Sequence, residues 1–205
     1  MRPPHADRRT FPCDRVLAFS DGIMAVAATL LVLNLTLPEG VTDAQLGSVL
    51  VQNLHALGVY VLSFIVVGLL WIGHHEQFSH LRRVDNLLIW LNLLYLMTIG
   101  LIPFLTSLLS DHGTALSTVL YAGTMLITSL LSAAMWWHAG RDAELMREDV
   151  PKGVRREGLA SVLLNGGVFA LSIPIALFWS ATVAQFSWLL LIPAGMLASM
   201  ADTDN

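Results

Sequence analysis

The sequence predicts an all-α, polytopic membrane protein with six transmembrane helices per subunit and both termini cytoplasmic. Three observations carry that expectation: the composition, the length of the charge-free runs, and the one-sided placement of the basic residues. Of 205 residues, 55% are hydrophobic and 13% are charged, against roughly a quarter charged in an ordinary soluble chain. Mean hydropathy is +0.66. A soluble fold of this length has too small an interior to hide such a composition, so lipid is the expected solvent. The single cysteine, Cys13, excludes a disulfide framework and a multi-thiolate metal site. A formal net charge of −4 excludes nucleic acid as a partner, because that needs a basic footprint.

The charge-free runs are 22–38, 44–75, 86–110, 112–140 and 158–201. Roughly 20 apolar residues cross about 30 Å of hydrocarbon, so the first four runs fit one helix each. The last is about twice that requirement, and Ser180, Thr182 and Gln185 fall where a tight turn would divide it. The expected helices are therefore 15–37, 54–78, 86–109, 115–138, 159–179 and 183–200. They form a transmembrane domain over 15–200, with cytoplasmic tails at 1–14 and 201–205. The segment 140–157, dense in both signs, reads as a solvated connector. A β-barrel would need many segments of alternating polarity, and the runs do not alternate. A secretory signal peptide is the rival reading of residues 1–37, but Asp14, Arg15 and Asp21 intrude on its apolar core.

Orientation follows from the basic residues, which are retained on the cytoplasmic side of short loops. Arg2, Arg8, Arg9 and Arg15 precede the first helix. Arg82 and Arg83 lie between the second and third, and Arg141, Arg147, Lys152, Arg155 and Arg156 between the fourth and fifth. These are all 11 Lys and Arg residues of the chain. The opposite loops carry only Glu39, Asp43 and Asp111 as charges. An extra or missing crossing among the first four would scatter basic residues onto both faces. Trp71, Trp90, Trp136, Trp137, Trp179 and Trp188 mostly fall near the ends of these helices, as an interfacial aromatic belt would place them.

Polar groups at membrane depth are costly unless partnered, so each asks for a reason. Asp21 lies one to two turns into the first helix, and His74, His75 and Glu76 close the second, with Asn92 and Asn165 as uncharged company. Since the first helix starts and the second ends on the cytoplasmic side, a hydrogen bond from His74 or His75 to Asp21 is expected. Adjacent helical residues diverge by about 100°, so these three side chains cannot converge on one metal ion without ligands from other helices. A packing network is the expected role, and a proton relay is its rival, because histidine titrates near neutrality. His55, His80, His112 and His138 read as interfacial polar residues.

Along the first helix, Gly22, Val26, Thr29 and Leu33 share one face. Ala25, Ala27 and Ala28 keep the other faces narrow, which permits close helix approach. Physics alone leaves two readings open. The helix is either a buried packing element or a pore wall, in which copies around an axis would form apolar rings at Val26 and Leu33 and a hydroxyl ring at Thr29.

The segment Arg15-Val16-Leu17-Ala18-Phe19-Ser20-Asp21 resembles the R-x-x-x-F-S-D opening of the first helix in bacterial relatives of the endolysosomal potassium channel, the transmembrane protein 175 family. Leu37-Pro38, Trp71-x-x-His74-His75-x-x-Phe78, Asp85, Leu91-Asn92-Leu93-Leu94 and Pro103 extend the resemblance over about the first half of the chain. It implies a six-helix subunit and a homotetramer whose first helices line a potassium-permeable pore. By position it implies Val26, Thr29 and Leu33 as pore-lining residues. It also implies an orienting network of Arg15, Phe19, Ser20 and Asp21 with His74 as partner, beside which His75 and Asn92 are the other candidates. Relatives tend to carry a bulkier Leu or Ile where Val26 stands, so the expected constriction either sits at Leu30 or Leu33 or is wider. No T-V-G-Y-G segment of the carbonyl-filter type occurs.

The expected function is thus a homotetrameric potassium-permeable cation channel in the cell membrane, with potassium as permeant ion and no cofactor or metal. A secondary transporter or proton-coupled carrier is the alternative. It predicts an internal repeat around a midplane site; none is evident, although Gly166, Gly167 and Pro174 favour a kink in the fifth helix. An intramembrane enzyme would need a paired nucleophile and base or a metal cage. A voltage sensor would need a spaced row of arginines.

Overall fold

The computed structural model describes residues 10–190. A short strand β1 (Phe11–Pro12) leads into α1 (Cys13–Leu30), which continues as a 3-10 turn over Leu31–Asn34. Next come α2 (Asp43–Gln52), α3 (Leu54–Ser79), strand β2 (Arg83–Val84), α4 (Asn86–His112), α5 (Ala115–Ala139), α6 (Lys152–Phe178) and α7 (Ala181–Ser187). Among the described residues, five helices are long and apolar enough to cross a membrane: α1 with its 3-10 extension, α3, α4, α5 and α6. These are the first five expected spans. The sixth, 183–200, begins within α7, and its part beyond 190 lies outside the described residues, as do 1–9 and the tail at 201–205.

Helix limits follow local chemistry. The Asp85 carboxylate accepts from Leu88 N–H at 2.9 Å and starts α4, while Thr114 and Ser180 cap α5 and α7 in the same way. Thr42 and Gln45 form a capping box at α2. Gly113, with φ of 55°, ends α4 in the left-handed conformation that glycine adopts without steric cost.

Three boundaries depart from the sequence reading. The first span stops at Asn34 rather than 37. The loop 39–53 contains α2, too short and too mixed in polarity to register as a span. The connector 140–157 is non-helical only in its first part, since α6 starts at Lys152, six residues before its charge-free run. Pro151 at the N-cap starts the helix in the aqueous layer, where hydropathy gives no signal. The tail 1–14 likewise already holds β1 and the first residues of α1.

The three segments that carry basic residues meet at one end of the bundle. β1 pairs antiparallel with β2, with Phe11 opposite Val84. Leu81 bridges Met146, Arg82 N–H donates to the Leu145 carbonyl at 2.8 Å, and Arg147 N–H donates to the His80 carbonyl at 3.1 Å. Beside them Arg147 holds the exposed Asp149 carboxyl below its usual range through a paired hydrogen bond, a surface contact of little consequence for stability.

Because lipid is as apolar as leucine, helices in a membrane associate through close packing and interhelical hydrogen bonds. Both are visible along α5. Gln77 on α3 and Ser132 pair twice at 3.1 Å, amide to carbonyl and hydroxyl to amide oxygen. Thr128 donates to Thr98 at 2.8 Å, Tyr121 and Thr106 both donate to Ser63, and Gln185 of α7 donates to Thr118 at 2.9 Å. Gln185 is therefore a helix-to-helix tie and not a turn residue. Between these pairs sit Leu96, Ile99, Ile102 and Met125, all fully buried. Trp90, Trp137 and Trp179 are exposed as a belt requires. Trp136 and Trp188, by contrast, lie in the core, where Trp188 stacks on Tyr121 at 4.8 Å.

Close approach of α5 and α6 depends on Gly158, where an added Cβ would lie 2.6 Å from the Trp136 ring. Gly158→Ala is expected to destabilise the fold by about 1–3 kcal/mol through overpacking, read as a lower thermal midpoint of the detergent-purified protein. An unchanged midpoint would show that the indole yields freely.

Candidate functional site

α1 has two unlike faces. Ser20, Met24, Ala27 and Leu31 are buried at spacings of four, three and four residues, the stripe of a helix packed on its own subunit. Opposite them, Arg15, Phe19, Gly22, Ala25, Val26, Thr29, Leu30 and Leu33 are exposed. Val26 and Leu33 are 57% and 66% accessible. The Thr29 hydroxyl donates back to the Val26 carbonyl at 2.8 Å, so what it presents outward is an oxygen acceptor. Small side chains alternate with branched ones on this stripe.

The inward face is fixed by a buried polar chain across three helices. Ser20 Oγ donates to the Val16 carbonyl at 2.9 Å, so as an acceptor it takes the Asn92 amide N–H at 2.9 Å. Asn92 Oδ1 then faces His74 Nε2 at 2.8 Å. An amide oxygen only accepts, so His74 carries its proton on Nε2. The ring lies against Phe78 and Tyr95, with centroids 4.3 and 5.3 Å away, and its Nδ1 is buried without a hydrogen-bond partner among the described residues. The neutral tautomer satisfies this chain, since protonation would leave an Nδ1–H with no acceptor.

The expected Asp21–histidine bond is absent from this arrangement. Asp21 follows Ser20, about 100° further round the helix, and accepts instead from the Trp71 indole N–H at 2.8 Å. Trp71 sits nearly one turn before His74 on α3, and His75 lies beside the same indole at 5.7 Å. The seven-residue group anticipated from sequence is thus split into an inner chain, Ser20–Asn92–His74, and a half-exposed pair in which Asp21 meets Trp71. Arg15 and Phe19 join neither. With Phe11, Val16, Ile89, Asn92 and Leu93 they line a lateral groove of about 300 Å³ between α1 and α4. Glu76 is exposed, and no three His, Cys, Asp or Glu side chains gather as a metal site requires among the described residues.

Sequence reasoning missed three ties. Trp71 was placed in an interfacial belt, although an indole N–H nearly one turn before His74, on the helix expected to meet Asp21, was a legible donor. His138 was treated as an interfacial residue, yet its Nε2 lies 2.9 Å from Asp85 Oδ2, joining α5 to the start of α4. Asn34, at the far end of α1, donates to the Pro103 carbonyl of α4 at 3.0 Å.

The family model for the endosomal/lysosomal potassium channel TMEM175 matches residues 15–103, the stretch that holds α1, α3, the buried chain and Pro103. A potassium channel of Streptomyces collinus is 37% identical over 144 residues, covering 67% of this chain and 70% of that one. The human endosomal/lysosomal proton channel TMEM175 is 34% identical over 162 residues, covering 65% of this chain and 32% of its own length. The crystal structure of a lysosomal potassium-selective channel TMEM175 homologue from Chamaesiphon minutus matches with a TM-score of 0.80 at 25% identity, covering 91% of this chain and 97% of that one.

Asn92→Leu removes both bonds of the buried chain and is expected to cost about 1–3 kcal/mol, because the His74 and Ser20 groups lose their partners in a dry site. Asp21→Asn keeps an oxygen for the Trp71 indole and should cost far less. Thermal midpoints of the two variants, compared with the parent, check the ranking; equal losses would contradict the division into inner chain and outer pair.

Proposed function

The chain belongs to the TMEM175 family, and from that premise we propose that it is a potassium-permeable cation channel built from four copies of a six-helix subunit. In this reading both termini are cytoplasmic, the tetramer sits in the cell membrane, and α1 of each subunit lines the central pathway. The protein is a multi-pass membrane protein of an ion-channel family, so transport needs no catalytic step and no cofactor.

One observation carries the proposal. The face of α1 bearing Val26, Thr29, Leu30 and Leu33 has no partner in its own subunit among the described residues, while the buried chain from Ser20 to His74 holds the opposite face against α4 and α3. A lipid-facing helix has no need of such a fixed rotation. A pore wall does, because a turn of the helix replaces every group the ion meets.

Around a fourfold axis this face stacks rings of distinct chemistry. Rings of Val26, Leu30 and Leu33 narrow the path with apolar side chains and can close it by dewetting. Between Val26 and Leu30, the Thr29 oxygens offer a ring of acceptors able to replace part of an ion's hydration shell. That differs from a carbonyl filter in having one layer of ligands rather than several, so selectivity is expected to be modest. Glu39, Asp43 and Asp111 add negative charge at the external mouth and raise the local cation concentration.

The test is flux from liposomes containing the purified protein, with potassium and sodium compared. Potassium-favouring flux is expected, with Leu33→Ala raising it severalfold and Thr29→Val lowering the preference for potassium. Flux that requires a second, coupled ion would replace the channel by a transporter. Absence of flux in both the parent and Leu33→Ala would remove the pore altogether.

A further inference from the structure

The outer end of α1 changes its winding. After Leu30 the helix tightens into a 3-10 turn over Leu31–Asn34, with Leu35 N–H bonded to the Val32 carbonyl at 3.0 Å. Nothing in Leu31-Val32-Leu33-Asn34 compels this. None of the four is glycine or proline, and Pro38 restricts only the residue before it. The α form has the better hydrogen-bond geometry, yet the last turn of a helix often tightens in this way, so which winding it keeps is open to an external hold.

Geometry identifies that hold. In 3-10 winding, residues three apart eclipse, whereas in α winding they stand about 60° apart. Leu31 is fully buried against the subunit. Eclipsing places Asn34 on the same side as Leu31, where its amide donates to the Pro103 carbonyl at 3.0 Å. Rewound as α, Asn34 would swing by about 60° away from that carbonyl. The same arithmetic governs Leu33. In 3-10 winding it eclipses Leu30, and in α winding it falls nearly in line with Val26, seven residues before it.

We infer that Asn34 is a positioning residue for the outer constriction: by bonding to Pro103 it keeps residues 31–34 in 3-10 winding, and this sets the angle at which Leu33 meets the pore axis. The inference rests on the channel reading above and deepens it. Release of Asn34 turns the Leu33 ring by about 60° relative to the Leu30 ring and alters the constriction without moving the body of α1.

The experiment uses the full chain in liposomes, with Cys13→Ser as background so that introduced thiols report alone. Leu30→Cys and Leu33→Cys are each modified by a small cationic methanethiosulfonate reagent while potassium flux is followed. With Asn34 present, the two positions are expected to react at similar rates. Asn34→Leu should separate the rates severalfold and change the flux, and Asn34→Gln, which keeps the amide donor, should bring them back together. A merely structural role for Asn34 would lower stability without changing the ratio. An unchanged ratio in Asn34→Leu overturns the inference. Should that variant fail to assemble, Asn34→Ser, whose hydroxyl is too short to reach Pro103, gives the same reading. If modification at neither position alters potassium flux, the placement of α1 along the pore fails as well, which is distinguishable from a failure confined to Asn34.

Discussion

Inside a bilayer no water is available to a polar group that lacks a protein partner, and this constraint shapes the molecule more than any apolar contact does. The chain from Ser20 through Asn92 to His74 is its clearest product. Each member is nearly inaccessible, and each bond depends on the direction of the one before it. Rotating α1 by one residue would carry Ser20 away and strand the Asn92 amide N–H, while the Asn92–His74 bond between α4 and α3 would stay. The cost of a single unsatisfied group is about 1–3 kcal/mol, which is enough to favour one rotation among apolar packings of similar energy. Specificity here comes from polar groups, while the surrounding leucines and valines, which are equally content in lipid, are nearly indifferent to the choice.

The same logic extends through the bundle. Gln77 with Ser132, Thr98 with Thr128, and Ser63 with Thr106 and Tyr121 join α3, α4 and α5 at successive depths. Such pairs are individually modest, averaging about 0.6 kcal/mol in membrane interiors. Their effect is to fix register, since a one-residue slide of α5 would break several at once. The result is a rigid block of three helices against which α1 is held by one face, its other face left bare.

How much of this was legible in the sequence depends on which physical signal each feature leaves. Spans leave a strong one. Charge-free runs and the partition of Arg and Lys place α3, α4 and α5 to within a few residues, because apolar length is imposed by the bilayer itself. The start of α6 was not legible, since Lys152 to Glu157 is helical outside the apolar layer and charge density says nothing of backbone conformation. α2 was missed for a similar reason. At the candidate site, the residues were identifiable because a buried polar group is rare in a membrane helix, but their pairing was not. Asp21, His74 and His75 are the obvious complements by charge, yet Asp21 meets Trp71, because the rotation that buries Ser20 turns the next residue toward a different part of α3. Periodicity grouped Gly22, Val26, Thr29 and Leu33 on one face of α1 but gave no hint of the winding change at Leu31, beside which Asn34 meets a carbonyl 69 residues away in sequence.

The hydrogen-bonded ties from α1 to other helices lie toward its two ends, Ser20 and Asp21 at one and Asn34 at the other. Ser20 anchors it near the end where β1, β2 and the 145–147 segment meet, and Asn34 anchors it near the other. Between them, from Gly22 to Leu33, no side chain of α1 hydrogen-bonds to another helix among the described residues; Thr29 turns back on its own backbone, and contact is apolar, through Met24, Ala27 and Leu31 with Ile23 and Ala28 beside them. A rod fastened at both ends and merely packed in the middle resists sliding and tilting but not torsion. Any change in what its bare face presents therefore comes most cheaply from a change of winding, and the only irregular winding in the helix lies at its outer tie. The exposed leucines at 30 and 33 straddle the junction between the two windings, so the most apolar part of the bare face coincides with the part most sensitive to twist.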